Sequence, residues 1–459
     1  MSAGQRYDVA VVGAGIAGLA ASVLLRQAGF TVVCLDAHPH PHRKVGESLD
    51  WSSPGLLTLL GIRRESLLSG EIATPKAQIA VHEIDRAPWA AGPPPQVRRA
   101  PLRFETLTLH VDRTALDERV YGQALRAGTV FVWERVSRVE WTGERVTACA
   151  TDAGWRVEAR WYLDASGTAR LFAHAMDIPV RAYGRRKVCL WTYFDTPPLA
   201  HGTTFFVDND DAYLSWVWDI PISPRQTSVG FVLPADVMRD HTRRGRSPAT
   251  VLLDELRRHR RFDALLARPP AQAIERTSFQ AYVTTRVCGA NWMMAGEAAS
   301  MPDPLTGNGV TSGIRHARHA SEAITSAGGR DAFTARQRRD YHRHVFRLGR
   351  AFNAHIEHAI YRPEIRQALG LKTATYVYTL FAFFTNALHA RVDPRGRMAM
   401  AVFALVFAMA RAWIAGWRLL ARVVSRGRRA RRRPPPQARA PARPVLPGAD
   451  AGADAAAPE

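Results

Sequence analysis

Residues Tyr7–Asp36 read YDVAVVGAGIAGLAASVLLRQAGFTVVCLD, and no other stretch restricts the possible fold as tightly. Asp8–Val12 reads as a short buried strand, followed by Gly13, Gly15 and Gly18 in a G-x-G-x-x-G spacing at the opening of an apolar helix. A second strand, Thr31–Leu35, ends at Asp36, eighteen residues beyond Gly18. The three glycines serve different ends. Gly13 permits the tight turn, Gly15 lets backbone approach a pyrophosphate, and Gly18 lets the helix pack on the strand. The helix start presents unpaired N–H groups and a positive dipole end to phosphate. Asp36 is placed to accept hydrogen bonds from a ribose. A bare glycine spacing is a weak signal, but strand, turn, helix, strand and terminal acid in one unit predict a dinucleotide site.

With 459 residues the chain has room for two domains and a generous core. Its net charge of +21 comes from 62 basic residues, of which only four are lysines: Lys44, Lys76, Lys187 and Lys372. That bias is as compatible with genome composition as with selection for a polyanion. No helix-turn-helix, zinc or RNA-binding signature accompanies the charge, so nucleic acid is not expected as a partner. Cys34, Cys149, Cys189 and Cys288 are scattered, without a C-x-x-C pair or a disulfide framework. Buried thiols in a reducing cytoplasm are the expectation. No signal peptide is read ahead of the first strand.

After Asp36 comes a polar loop containing His38, His40 and His42, interrupted by prolines; it reads as solvated, and no metal site is expected. Strands are expected at 77–83, 101–111, 129–135, 145–150 and 155–163, with an amphipathic helix over Arg113–Arg126. Residues 181–285 are mostly strand-like, with a helical interruption at 250–267, which suits an inserted antiparallel sheet. Trp292–Ala295 reads as another strand, and GEAASMPDPLTGNG leads from it into a long helix. The expected division is an α/β dinucleotide-binding domain over 1–180 and 286–330, a substrate sheet over 181–285, a helical region over 331–425 and a basic, disordered tail over 426–459.

LDASG (Leu163–Gly167) and GEAASMPDPLTGNG resemble the segments that close the FAD site in glutathione-reductase-type flavoproteins. The resemblance implies a Rossmann-like FAD fold with an inserted antiparallel β substrate domain and a helical C-terminal region. It places Gly13, Gly15, Ile16, Ala17, Gly18 and Asp36 at the ADP half, with Arg43, Gly46, Glu47, Ser48, Arg113, Asp164 and Gly167 around the cofactor. Gly296, Glu297, Pro304, Gly307, Asn308, Gly309 and Val310 fall at the ribityl–flavin half, with Glu297 where the family usually carries aspartate. A helix start beside the flavin would stabilise its reduced, anionic ring.

VGESL (Val45–Leu49) and WVWDIP (Trp216–Pro221) narrow the resemblance to flavin-dependent tryptophan halogenases and related FAD-dependent aromatic monooxygenases, over roughly residues 5–330. In that family reduced FAD and O2 oxidise chloride to hypochlorous acid, which travels through a tunnel to a lysine beside the aromatic substrate. Lys76, in Ala73–Thr74–Pro75–Lys76 about thirty residues after the G-E-S turn, matches that lysine in position. Its other reading is a surface lysine at a strand start. Trp216 and Trp218 lie on one face of a strand. They form either a wall beside the flavin or two core tryptophans. The proline after G-E-S comes late, at Pro54, and LTGNG is nearer to aromatic hydroxylases, so hydroxylation and halogenation both stay open. The substrate is expected to be an indole-like aromatic, small or carried on a protein. A separate flavin reductase is implied, because no second G-x-G-x-x-G is present.

YLSWVWDIP followed by Gly230 also matches in part the Y-x-W-x-F-P pattern of geranylgeranyl-type isoprenoid reductases. A third reading is a membrane-tethered flavoprotein that binds or matures a partner. Thr373–Val424 is apolar with Trp413 and Trp417, followed by a stretch rich in arginine. It reads either as a membrane-surface anchor on the inner face or as helices closing over the substrate domain.

Overall fold

The computed structural model describes residues 6–40, 45–50, 52–84, 102–199, 202–209 and 213–362, together with Gly416. Chain contacts divide it into units of residues 1–392 and 393–459, and apart from Gly416 everything described lies in the first. Arg43, His42, the apolar segment 373–424 and the tail 426–459 lie outside the described residues, Gly416 excepted.

Continuous runs of buried aliphatics form a parallel sheet covered on both faces. Its order is Trp292–Met294, Ala159–Asp164, Tyr7–Val12, Val32–Leu35 and Val130–Val132. The helices Ile16–Gln27, Arg113–Arg126 and Gly309–Ala327 contribute to the same core. Asp112 starts the Arg113–Arg126 helix by accepting from the N–H groups of Thr114 and Ala115. Each fully buried valine or leucine in this core is worth about 1.5–3 kcal/mol.

The second sheet has eight strands, ordered Ser300–Met301, Glu275–Thr284, Val180–Phe194, Gln226–Pro234, Leu214–Ser223, Gly202–Asn209, Ala73–Ile84 and Leu102–Val111. Its pairings are antiparallel except for Gly202–Asn209 against Ala73–Ile84, which run parallel. The sheet is therefore wider than the 181–285 insertion: its last two strands come from the N-terminal part of the chain, and Ser300–Met301 lies beyond residue 285. Val217, Phe206, Leu190 and Phe231 pack on one side against the helices Ala235–Arg243 and Pro248–Arg257. A small antiparallel sheet, Val136–Thr142, Arg145–Thr151 and Arg156–Val157, completes the strands described.

All four cysteines are buried and free. His40 is not solvated as expected: its ring stacks on Tyr121 at 5.3 Å and its Nε2 meets the carbonyl of Ala14. An aromatic group of Tyr121, Phe131 and Trp133 gives it an apolar surface that the polar loop sequence did not reveal. Among the described residues, no helix is long and apolar enough to cross a membrane.

Candidate active site

The glycine turn closes on the LDASG turn. A Cβ on Gly13 (φ +104°) would lie 2.3 Å from the Ala165 carbonyl oxygen, and one on Gly18 would lie 1.8 Å from that of Gly13. Neither position can carry a side chain. The Ile16–Gln27 helix begins at Gly15 with no capping side chain, so its first N–H groups have no side-chain acceptor. Asp36 accepts from the Ala14 N–H at 2.6 Å through Oδ2 and from the His38 N–H at 2.9 Å through Oδ1. Ile16 and Ala17 approach Gly313, and Ala17 also approaches Gly296, so their side chains fasten this helix to Gly309–Ala327. Asp164 is fully buried and turned inward: it accepts from the N–H and hydroxyl of Ser166 and from the Phe172 N–H. Burial raises its pKa, and these bonds partly offset the rise. Its geometry is that of a brace for the turn rather than of a group facing a ligand.

The G-E-S turn is held by Arg113, which donates to the carbonyls of Val45 and Gly46 and pairs with Asp117. Glu47 leaves this turn for the second sheet. Its Oε1 accepts from the Tyr193 hydroxyl at 2.8 Å and the Ser228 hydroxyl at 3.5 Å, and its Oε2 accepts from the Gly46 N–H. Burial pushes its carboxyl above the usual range, opposed by these bonds and by Arg113. The Trp218 indole donates to Ser228 at 3.1 Å. Trp216 and Trp218 are buried with ring centroids 5.7 Å apart, on the face opposite the Val217 core. Trp218 fits only because Gly230 has no side chain, since a Cβ there would lie 2.2 Å from its ring.

Lys76 belongs to its strand rather than preceding it, and it is 6% exposed rather than at the surface. Pro75 and Ala77 take the outward positions, as strand alternation requires. The Lys76 ammonium donates to the Leu49 carbonyl at 3.1 Å, which ties it to the G-E-S-L segment. Desolvation pulls its pKa down to about 8, opposed by Asp50. His110 lies close by, its own pKa lowered by burial and by Lys76, with its Nε2 2.8 Å from the Thr203 hydroxyl.

The Gly296–Gly309 segment forms the facing side. Glu297 lies beside Gly167, whose Cβ would be 4.0 Å from its Oε2, and its backbone carbonyl accepts from Tyr282. Pro304 is exposed. Gly307 (φ +63°) sits so close to the Ser48 backbone that a Cβ would lie 2.7 Å from that carbonyl oxygen. Asn308 precedes the helix without capping it by side chain, Val310 is buried, and a Cβ at Gly309 would meet open space. Three residues not singled out in the sequence converge here. Lys187 pairs with Asp303 at 2.9 Å, and the Tyr361 hydroxyl donates to Asp303 at 3.0 Å while accepting from the Trp216 indole at 3.3 Å. The scarcity of lysine marks Lys187 as it marks Lys76; nothing in the helical pattern marks Tyr361.

Two helices that start uncapped and a braced glycine turn supply donors, and an acid at the end of the second strand supplies an acceptor, in a set that fits FAD. These features define an FAD-binding flavoprotein. The FAD binding domain family model matches residues 6–329, and the chain belongs to that family; its cofactor is FAD. The chain is 27% identical over 330 residues to a tryptophan 2-halogenase of Chondromyces crocatus, a match covering 69% of this chain and 61% of that relative. It is 23% identical over 344 residues to a 1H-pyrrole-2-carbonyl-[peptidyl-carrier protein] brominase of Pseudoalteromonas luteoviolacea, covering 71% and 79%. A menaquinone reductase of Mycolicibacterium smegmatis is 27% identical over 346 residues, covering 72% and 79%. The solved structure of the flavin-dependent brominase Bmp2 shares the fold, with a TM-score of 0.72 and 20% identity over 89% of this chain and 100% of that one.

Proposed function

We propose that this chain is an FAD-dependent oxidoreductase that uses reduced FAD and O2 to halogenate an aromatic, indole-like ring. The observation that carries this reading is the buried Lys76, with its pKa near 8 and a backbone tie to the G-E-S-L segment. Reduced FAD with O2 supplies the two-electron oxidation of halide. In this reading Gly13, Gly15, Gly18 and Asp36 hold the ADP half, while Glu297 and the Pro304–Gly309 loop hold the ribityl–flavin half. Trp216 and Trp218 form a wall that keeps the substrate ring from the oxidation site. Lys76 receives the oxidised halogen: its ammonium donates a hydrogen bond to the hypohalous oxygen, or its neutral amine takes the halogen as the oxygen–halogen bond breaks and the hydroxide leaves as water with the amine proton. Near neutral pH both forms are present, as a relay needs.

A separate reductase supplies reduced flavin in this reading, since the sequence has no second G-x-G-x-x-G and the one parallel sheet among the described residues accounts for one dinucleotide site. The carrier-protein substrate named for the brominase supports a protein-borne aromatic ring here as well. Free, buried cysteines support a cytoplasmic setting. Contact with the inner membrane face rests on residues 373–424, outside the described residues apart from Gly416.

The test is turnover with a flavin reductase, NADH, O2 and bromide or chloride on tryptophan, phenols and carrier-bound pyrrole, read by halogen isotope pattern. Halogenated product lost in Lys76→Ala supports the proposal. Hydroxylated product independent of halide overturns it in favour of monooxygenation. The menaquinone reductase relative favours one second reading, reduction of an isoprenoid substrate. Turnover of such a substrate without oxygen would establish that reading instead.

A further inference from the structure

Lys187 takes no part in the phosphate cradle or in the Lys76 cluster, yet it is as deeply buried as Lys76. Its side chain is 6% exposed and that of Asp303 is 2% exposed. An ammonium is kept at such a depth only where a counter-charge and well-placed acceptors offset its lost hydration. The strand Val180–Phe194 brings it there through an irregularity. Tyr183 pairs with Ala281 and Lys187 with Phe279, so four steps on one strand face two on the other. Bulges of this kind re-aim side chains and recur beside active sites.

Asp303 uses both carboxylate oxygens. Oδ2 accepts from Lys187 at 2.9 Å; Oδ1 accepts from the Leu305 N–H at 3.1 Å and from the Tyr361 hydroxyl at 3.0 Å. The Leu305 bond starts the turn Pro304–Thr306, which leads through Gly307 to the Gly309–Ala327 helix. Tyr361 covers the pair, its ring centroid 3.8 Å from the Lys187 nitrogen, a cation–π contact within a desolvated cluster. Tyr361 arrives from the short helical turn Glu357–Tyr361, far along the chain from the other members.

We infer that Lys187 is a positioning residue for the flavin side of the pocket. Through Asp303 it fixes the Pro304–Gly309 loop against the substrate sheet, and Tyr361 of the C-terminal segment locks the pair. The inference rests on the reading of that loop as the ribityl–flavin cradle. Its consequence is that the segment around Tyr361 belongs to the site rather than to a separate C-terminal module.

The test uses the full chain and measures the FAD dissociation constant and the midpoint potential of the bound flavin. Lys187→Met should weaken FAD binding at least tenfold and move the potential to more negative values, because no Lys187 ammonium then offsets the Asp303 carboxylate on the loop read as the flavin cradle. Lys187→Arg should restore most of the affinity. Lys187→Met with Asp303→Asn removes both charges; it should leave binding weak but return the potential toward that of the parent. Parent-like affinity and potential in folded Lys187→Met overturn the inference; where that variant does not fold, the same result in the double variant does so. Neither readout uses halide, oxygen or an aromatic substrate. A chain that shows these FAD effects but never halogenates therefore defeats the proposed reaction and leaves this inference standing.

Discussion

The Tyr193 hydroxyl donates to Glu47 Oε1 across 2.8 Å, although 146 residues separate the two. This bond joins the G-E-S turn, which belongs by sequence to the FAD half, to the strand Val180–Phe194 of the eight-stranded sheet. Ser228 and Trp218 extend the connection to the tryptophan wall. Glu47 thus reaches Trp218 through two side-chain hydrogen bonds, both made by Ser228.

Glu47 gives this connection a pH dependence. Burial, the largest cause, raises its folded pKa above the unfolded value. Its contribution to stability is therefore complete below the ordinary carboxylate range and is lost as pH rises through the raised folded value. Glu47→Gln should flatten that part of the stability–pH curve, as measured by urea unfolding at a series of pH values. An unchanged curve would show that Glu47 is ionised without penalty. Tyr193→Phe should cost about 1 kcal/mol, the net worth of one hydrogen bond.

Gly230→Ala tests the packing of the wall. The added methyl would start 2.2 Å from Cη2 of Trp218 and 2.7 Å from the Leu190 carbonyl oxygen. The ring must leave its place or the strands must part, at a cost of about 1–3 kcal/mol. Chemical denaturation should show the loss, and near-ultraviolet circular dichroism should show a displaced tryptophan. Parent-like values in both would mean that the ring is not seated over Gly230.

Lys76 is expected to set the upper part of the pH–rate profile. With its pKa pulled down to about 8 by desolvation, product formation should change with an inflection near pH 8 that is absent in Lys76→Met. That variant should form product about 10²–10⁴-fold more slowly while still consuming oxygen. For stability the sign is opposite to that of Glu47. A lysine whose folded pKa is lowered contributes fully above its unfolded value and loses that contribution as pH falls through about 8. Lys76→Met should therefore gain stability relative to the parent as pH falls from 10.5 to about 8, and a constant difference across that range would refute the shift.

The local pattern made most of the fold legible. Glycine spacing and buried runs located the strand–helix–strand unit, and amphipathic spacing placed the Arg113–Arg126 helix at its observed bounds. What stayed hidden depends on contacts distant in sequence. The alternation around Lys76 marks an inward side chain only once the neighbouring strands cover it, so a surface position was equally open. Asp164 reads like a ligand because its turn resembles a cofactor motif, but its carboxylate is taken up by Ser166 and Phe172. Lys187, Asp303 and Tyr361 come from a strand, a loop and a terminal helical turn with no shared motif.

Lys76 and the two tryptophans stand on strands of one hydrogen-bonded sheet, with a single strand, Gly202–Asn209, between them. Two strand spacings put about 10 Å between their strands across the ladder. The ladder works as a fixed gauge: no hinge between the lysine and the wall can stretch or shorten that lateral step. In the proposed reaction a bulkier substrate must adapt by changing its own pose, and variants selected for new substrates should alter side chains rather than the spacing of these strands.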